Sequence, residues 1–191
     1  YICDFFYRLA ISNGKKPFLK GNKDLPETFL GGIYAEGKEW MDKVDKIPYS
    51  IKSHDGLNLK AFLIPSSIEG QKVFVLLAHG YNSKALDMGP YARFFNEELN
   101  FNVFLPDDRG HGQSDGKYIG FGWHDRLDCM NWINFLIKTF GNDIKILLFG
   151  VSMGGATVLM LSGEELPQNV KGVISDCAYT SAKDILTYQL K

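Results

Sequence analysis

From Val73 onward, short and largely apolar runs alternate with longer stretches whose apolar residues recur at helical spacing. The runs are Val73–Ala78, Val103–Leu105, Ile144–Phe149 and Val170–Ser175. Hydrophobicity of that kind over so few residues predicts strands buried on both faces of a parallel sheet. Tyr91–Leu99, Trp123–Phe140, the segment from Ser152 to Leu161 and Thr180–Leu190 predict helices between and after them. In Trp123–Phe140 the apolar face comprises Leu127, Met130, Ile133, Ile137 and Phe140. Strand and helix in alternation make an α/β domain.

The chain before Val73 is patterned differently. Ile47–Ser53 and Leu57–Ile64 flank Ser53-His54-Asp55-Gly56, and Asp-Gly between two such runs predicts an antiparallel hairpin at one edge of the sheet. His54 lies in that turn and reads as a solvated loop residue. Tyr1–Ile11 is apolar and aromatic apart from Asp4 and Arg8. It predicts an amphipathic helix packed on the domain, since a membrane-surface helix would carry more Lys and Arg. Glu27–Lys43 has helical spacing, with Gly31-Gly32 weakening its start. Residues 1–46 therefore read as a helical lead-in packed on a domain formed by residues 47–191.

Composition narrows the function classes. The 191 residues have room for one domain with a sizeable core, and 45% hydrophobic with 23% charged residues is ordinary for a soluble globular chain. Lys+Arg 21 against Asp+Glu 22 gives no nucleic-acid surface. Cys3, Cys129 and Cys177, odd in number and lacking C-x-x-C spacing, make neither a disulfide framework nor a zinc site. They fit a reducing compartment or a bacterial surface that tolerates free thiols. No segment reaches the roughly 18 apolar residues of a membrane span. The sequence starts at Tyr1 rather than Met, so a signal or membrane tether upstream, and a membrane-anchored or extracytoplasmic location, are carried beside a cytoplasmic one.

Candidate chemistry centres on Gly150-Val151-Ser152-Met153-Gly154, which joins a strand to a helix. A serine on such a turn is held in strained backbone geometry with its hydroxyl outward, and the flanking glycines are needed because side chains there would meet neighbouring backbone. A second G-x-S-x-G, Gly112-Gln113-Ser114-Asp115-Gly116, follows a polar turn-forming run and has neither strand nor helix beside it; Ser114 reads as a loop residue. His79-Gly80-Tyr81-Asn82 leaves a strand at the carboxyl end, where α/β sheets place ligands. The backbone N–H of Tyr81 would pair with that of Met153 as an oxyanion hole. His79 reads as a brace for its loop rather than a general base. Asp107-Asp108-Arg109-Gly110-His111-Gly112 leaves another strand, with Arg109 expected to pair with Asp107 or Asp108 and pin the loop. Its glycines fit neither nucleotide-binding spacing. His54, His79, His111 and His124 lie on separate elements without a metal-ligand pattern, so neither metal nor cofactor is expected.

The motifs His79-Gly80, Asp108-Arg109-Gly110-His111-Gly112-Gln113-Ser114 and Gly150-Val151-Ser152-Met153-Gly154-Gly155, in that order, resemble the α/β-hydrolase superfamily over Pro48–Lys191. The lead-in and Asp176-Cys177-Ala178-Tyr179-Thr180-Ser181 are similar to bacterial hydrolases related to the prolyl oligopeptidase and cinnamoyl esterase groups, several of which carry an N-terminal anchor. The resemblance implies strand order 1-2-4-3-5-6, with strands 7 and 8 lying beyond Lys191. It implies a serine hydrolase that forms an acyl-enzyme on Ser152 without a cofactor, a carboxylic ester with a small or aromatic acyl group coming first as substrate, a short peptide or aminoacyl bond second and a thioester third. The superfamily's chain order is serine, acid, histidine. No histidine follows Ser152, so the catalytic histidine, and an aspartate, are expected from outside these residues. Asp176 occupies an alternative acid position, with loop bracing as its first reading. A sheet ending at strand 6 would expose an edge for self-association or for a partner segment. The competing reading is a truncated or degenerate binding protein without catalysis.

Overall fold

The computed structural model describes residues 4, 5, 7–14 and 31–189. Strands β1 (Ile47–Lys52), β2 (Asn58–Ile64), β3 (Val73–Ala78), β4 (Asn102–Pro106), β5 (Lys145–Val151) and β6 (Val170–Asp176) form one sheet in the order β1-β2-β4-β3-β5-β6. The hairpin is antiparallel, with Ile47 opposite Leu63 and Lys52 opposite Asn58, and β2 is antiparallel to β4. From β4 through β3 and β5 to β6 every pairing is parallel. Gly56 closes the hairpin at φ 91°, a conformation that costs glycine little.

Alternation along the strands divides the core in two, because successive side chains point to opposite faces. Leu59, Ala61, Phe74, Leu76, Phe104, Ile146 and Leu148 point to one face. They are covered by α3 (Asp125–Phe140) and α4 (Met153–Leu161), with Trp132 and Phe104 meeting edge to face at 5.1 Å. Ile64, Val75, Leu77, Val103, Leu105 and Phe149 point to the other. That face is covered by α1 (Gly31–Lys43) and α2 (Gly89–Arg93). The last helix, α5 (Ala182–Gln189), follows β6.

Two predicted helices differ in outline. The expected Tyr91–Leu99 helix begins earlier, as a 3-10 turn Ala85–Met88, continues as α2 and ends in a π-type turn Phe94–Glu98. Pro90 stands in the first turn of α2, where its missing N–H costs nothing, and Asn100 at φ 54° ends the run. Of the N-terminal helix, Tyr7–Ile11 forms a π-type turn with no buried residue, whereas Tyr1, Ile2, Cys3 and Phe6 lie outside the described residues. So do Glu27–Leu30 of the second expected helix. No described helix is long and apolar enough to cross a membrane.

Helix α1 docks by backbone contact. A Cβ on Gly37 would lie 2.5 Å from Pro90 N, and one on Gly89 would run into Gly37 O. The crossing thus excludes a methyl group from either position, and Trp40 Nε1 donates to Glu97 Oε1 beside it at 2.6 Å. Gly37→Ala is expected to destabilise the fold by about 1–3 kcal/mol through overpacking, read as a lower urea midpoint, although alanine is the better helix former.

Candidate active site

The turn from β5 to α4 is built by close backbone approach. A Cβ on Gly154 would collide with Ala78 O at the end of β3, and one on Gly150 would collide with Gly154 O. A Cβ on Gly155 would lie 2.8 Å from Ser175 Oγ in β6. With that space left empty, the first turn of α4 sits directly on the strand ends. Ser152 is held at φ 55° and ψ −112°, a region that costs a non-glycine residue on the order of 1–3 kcal/mol. Its N–H donates to Asp176 O at 2.8 Å and its carbonyl accepts from Ala156 N–H at 2.9 Å. Met153 follows at the first helical position, where an N–H has no partner within the helix.

The loop after β3 lies against this turn. A Cβ on Gly80 would stand 3.6 Å from Ser152 Cβ. His79 is fully buried, and its Nδ1 lies 2.9 Å from Gly80 O while its Nε2 accepts from Asp108 N–H at 3.1 Å. A carbonyl only accepts, so the proton is on Nδ1 and the ring is neutral; burial holds its pKa below the ordinary histidine value. Both ring nitrogens are thereby committed to joining the β3 and β4 loops. The His111 ring packs edge-on to His79 at 4.9 Å, with Nδ1 3.1 Å from Arg109 O. His124 Nδ1 lies 2.8 Å from Tyr118 Oη, and His54 is exposed. None of these hydrogen bonds among the described residues reaches Ser152.

The loop after β4 is pinned from within. Asp107 Oδ1 and Oδ2 accept the N–H groups of Ala85 and Gln113, each at 2.8 Å. Ser114, in the second G-x-S-x-G, is a loop residue whose Oγ donates to Asp107 O at 2.7 Å and accepts from Lys60 N–H at 2.9 Å. Arg109 does not pair with Asp107 or Asp108 as the sequence suggested. Its guanidinium, 1% exposed, forks onto Asp128 at 2.6 and 2.8 Å and onto Asp55 at 2.9 and 3.2 Å. Asp107 is taken up by the two backbone N–H groups, whereas α3 and the hairpin turn present carboxylates to both sides of the fork. Arg109 first, and Ser53 after it, hold the Asp55 carboxyl down at about 2.

Sequence reasoning missed the acidic residues beneath the loop. Asp125 is fully buried and accepts from Gly122 N–H at 2.8 Å, leaving Oδ1 without a hydrogen bond among the described residues. Burial first, and then the charge of Asp108, push it up to about 7. Asp108 is likewise raised by burial, then by Asp128 and Asp107. The only signal for Asp125 was an acid opening a helix after a glycine-rich run. Tyr91 was also missed: its Oη donates to Asp176 Oδ2 at 3.1 Å, its ring lies tilted against that of Phe149 at 5.1 Å, and Asp176 is exposed. The structure thus gathers Ser152, Met153, Gly80, Tyr81 and Asp176 around one turn, with His79, Asp108, Arg109 and His111 in the layer that supports it.

Arg109→Met is expected to cost roughly 3–5 kcal/mol in urea unfolding because Asp128 stays buried without its cation, and Arg109→Lys to recover only part, lacking the fork. For Asp125, the unfolded chain gives up the proton near pH 4 while the folded chain keeps it to about 7. Between those values the folded state binds more protons, so stability falls as pH rises. The melting temperature is expected to be lower at pH 8 than at pH 5, and Asp125→Asn, which keeps an acceptor for Gly122, to shrink that difference.

YqkD of Bacillus subtilis, an uncharacterised protein, is 29% identical over 154 residues, covering 80% of this chain and 49% of its own length. The protein bem46 of Schizosaccharomyces pombe is 28% identical over 153 residues, 78% of this chain and 49% of its own. The chain thus spans about half the length of the curated relatives it matches. An esterase of Pyrococcus furiosus superposes with a TM-score of 0.63 at 26% identity, covering 71% of this chain and 51% of that one. The family model described as serine aminopeptidase, S33, matches residues 70–188, more than half of the chain and the stretch that holds Ser152, Tyr81 and the loops after β3 and β4, and the chain therefore belongs to this hydrolase family of the α/β-hydrolase superfamily.

Proposed function

We propose that these residues form the nucleophile-bearing part of a serine hydrolase. The observation that carries the reading is Ser152 at φ 55° on the first turn of α4, with Gly80 packed against its side chain. Ser152 Oγ attacks the substrate carbonyl and gives its proton to a base. The N–H groups of Tyr81 and Met153 hold the negative oxygen of the tetrahedral intermediate, aided by the positive end of α4. The C–O bond to the leaving group breaks as the base returns the proton, and water then cleaves the acyl-enzyme by the same route. The base is a histidine outside these residues, because His79 is spent on the two loops. Asp176, engaged by Tyr91, serves as a brace, and the edge strand β6, where Ile174 is 45% exposed, is where further chain or a second copy pairs.

A small carboxylic ester is the substrate class put first, in keeping with the esterase likeness. The family description favours a second, the peptide bond after an N-terminal amino acid. In the full-length protein a fluorophosphonate is expected to add one adduct mass, absent in Ser152→Ala, and p-nitrophenyl acetate hydrolysis to fall at least about 1000-fold in that variant. Higher kcat/KM on an aminoacyl p-nitroanilide than on the ester would favour the peptidase. No labelling and no turnover would leave a non-catalytic binding protein.

A further inference from the structure

The N-terminal residues meet the site at a point the catalytic steps leave unused. Tyr81 Oη donates a 2.6 Å hydrogen bond to Ala10 O, within the turn Tyr7–Ile11. The turn and the residues after it are fastened to the glycine-rich loop. Ile119 N–H donates to Ile11 O at 2.7 Å and Asn13 N–H to Lys117 O at 3.3 Å. Ser12 bridges Tyr118 in antiparallel fashion, and Asn13 Nδ2 donates to Gly116 O at 2.8 Å. Residues 10–13 are thus a strap, bonded on one side to the loop after β4 and on the other to the tip of Tyr81. Beneath it Ile11, Tyr81, Ile119, Phe121 and Met153 share an apolar cluster, with the Tyr81 and Phe121 rings 5.5 Å apart.

The peptide that carries the Tyr81 N–H is already held at its other end. Gly80 O accepts from His79 Nδ1 at 2.9 Å and from Ser83 N–H at 3.2 Å. In a planar trans peptide the C=O and N–H of one unit point in opposite directions, so those two donors limit, without fixing, the direction of the Tyr81 N–H. What they leave undetermined is where the residue itself settles. A tyrosine has only two side-chain torsions; the bond at its tip, which lies on the axis of the second, holds the first, and the Phe121 ring packed against it restricts the second. The phenol hydrogen is committed to Ala10 O, which removes the hydroxyl from the list of oxyanion donors.

We propose that Tyr81 is a positioning residue for its own backbone N–H, its hydroxyl anchored on the strap, so that residues 10–13 tune acyl-enzyme formation without touching substrate. This rests on the serine-hydrolase reading above. Misplacing a catalytic donor by about 1 Å costs up to about 100-fold in rate, whereas losing a bond that only stabilises the fold leaves the folded fraction fully active.

The test uses the full-length protein, with active sites counted by fluorophosphonate titration so that misfolded molecules drop out. Tyr81→Phe is expected to lower kcat per titrated site about tenfold with KM within about twofold. Deleting residues 1–13 is expected to give the same loss, and the two together no more than either alone, as for groups that act as one unit. In a Ser152→Ala background, hydrogen exchange of the amides of residues 79–83 is expected to be faster in both variants. Unchanged kcat per site, losses that multiply, or unchanged exchange would each overturn the proposal. Turnover that survives Ser152→Ala overturns the underlying reading instead, and the exchange comparison, which needs no catalysis, then reports separately whether the strap holds the loop.

Discussion

The approach of Gly154 to the carbonyl of Ala78 is the contact on which the other features rest. It lets the amino end of α4 sit on the ends of β3 and β6 with backbone touching backbone, and the serine before it has no room for an ordinary conformation. Ser152 is strained because its neighbours are close, and its neighbours can be close because they are glycines. The burial of Met153 through Val158 supplies the packing that offsets the strain.

Around this turn lies a polar layer that is neither surface nor ordinary core. Arg109 joins the hairpin turn, the β4 loop and the first turns of α3 through Asp55 and Asp128, and a neutral His79 joins the β3 loop to the β4 loop. Several buried carboxyls share this volume with one guanidinium, and the charge balance is kept by raising Asp108 and Asp125 towards their neutral forms. Such a layer is expensive to desolvate and adds little stability over an apolar one. What it contributes is definition: each of the loops that meet Ser152 is tied to a partner at a fixed distance.

The strands and the serine turn were legible in the sequence because burial on both faces and close backbone approach each dictate residue type at fixed spacing. Val73–Ala78 and the helix ending at Leu161 lie where the pattern puts them. The order of the strands was not legible from spacing; it came from the resemblance carried by three motifs. Arg109 is the instructive failure. Its sequence neighbours Asp107 and Asp108 were the obvious partners, yet Asp107 is consumed by backbone N–H groups and the guanidinium points inward to residues far along the chain. The tautomer of His79, the burial of Asp125 and the bond from Tyr81 to Ala10 were hidden for the same reason: each depends on what tertiary folding brings alongside, which no local pattern records. The broken helix at Ala85–Glu98 reflects Pro90 and the contact with Gly37, both of which override periodicity.

The pairing of β2 with β4, rather than with β3, sets an order of events during synthesis. The β1–β2 hairpin is complete by Ile64, but the strand it docks on ends at Pro106. At about 5–20 residues per second, synthesis of the residues between them takes some seconds, during which the inner edge of β2, with Leu59, Ala61 and Leu63 that belong in the core, has no strand to pair with. Arg109 is made just after β4, and its bond to Asp55 ties the hairpin turn to the loop that follows that strand. Asp128, the second carboxylate of that fork, is synthesised later still, so the guanidinium has its full set of partners only once the first turn of α3 has been made.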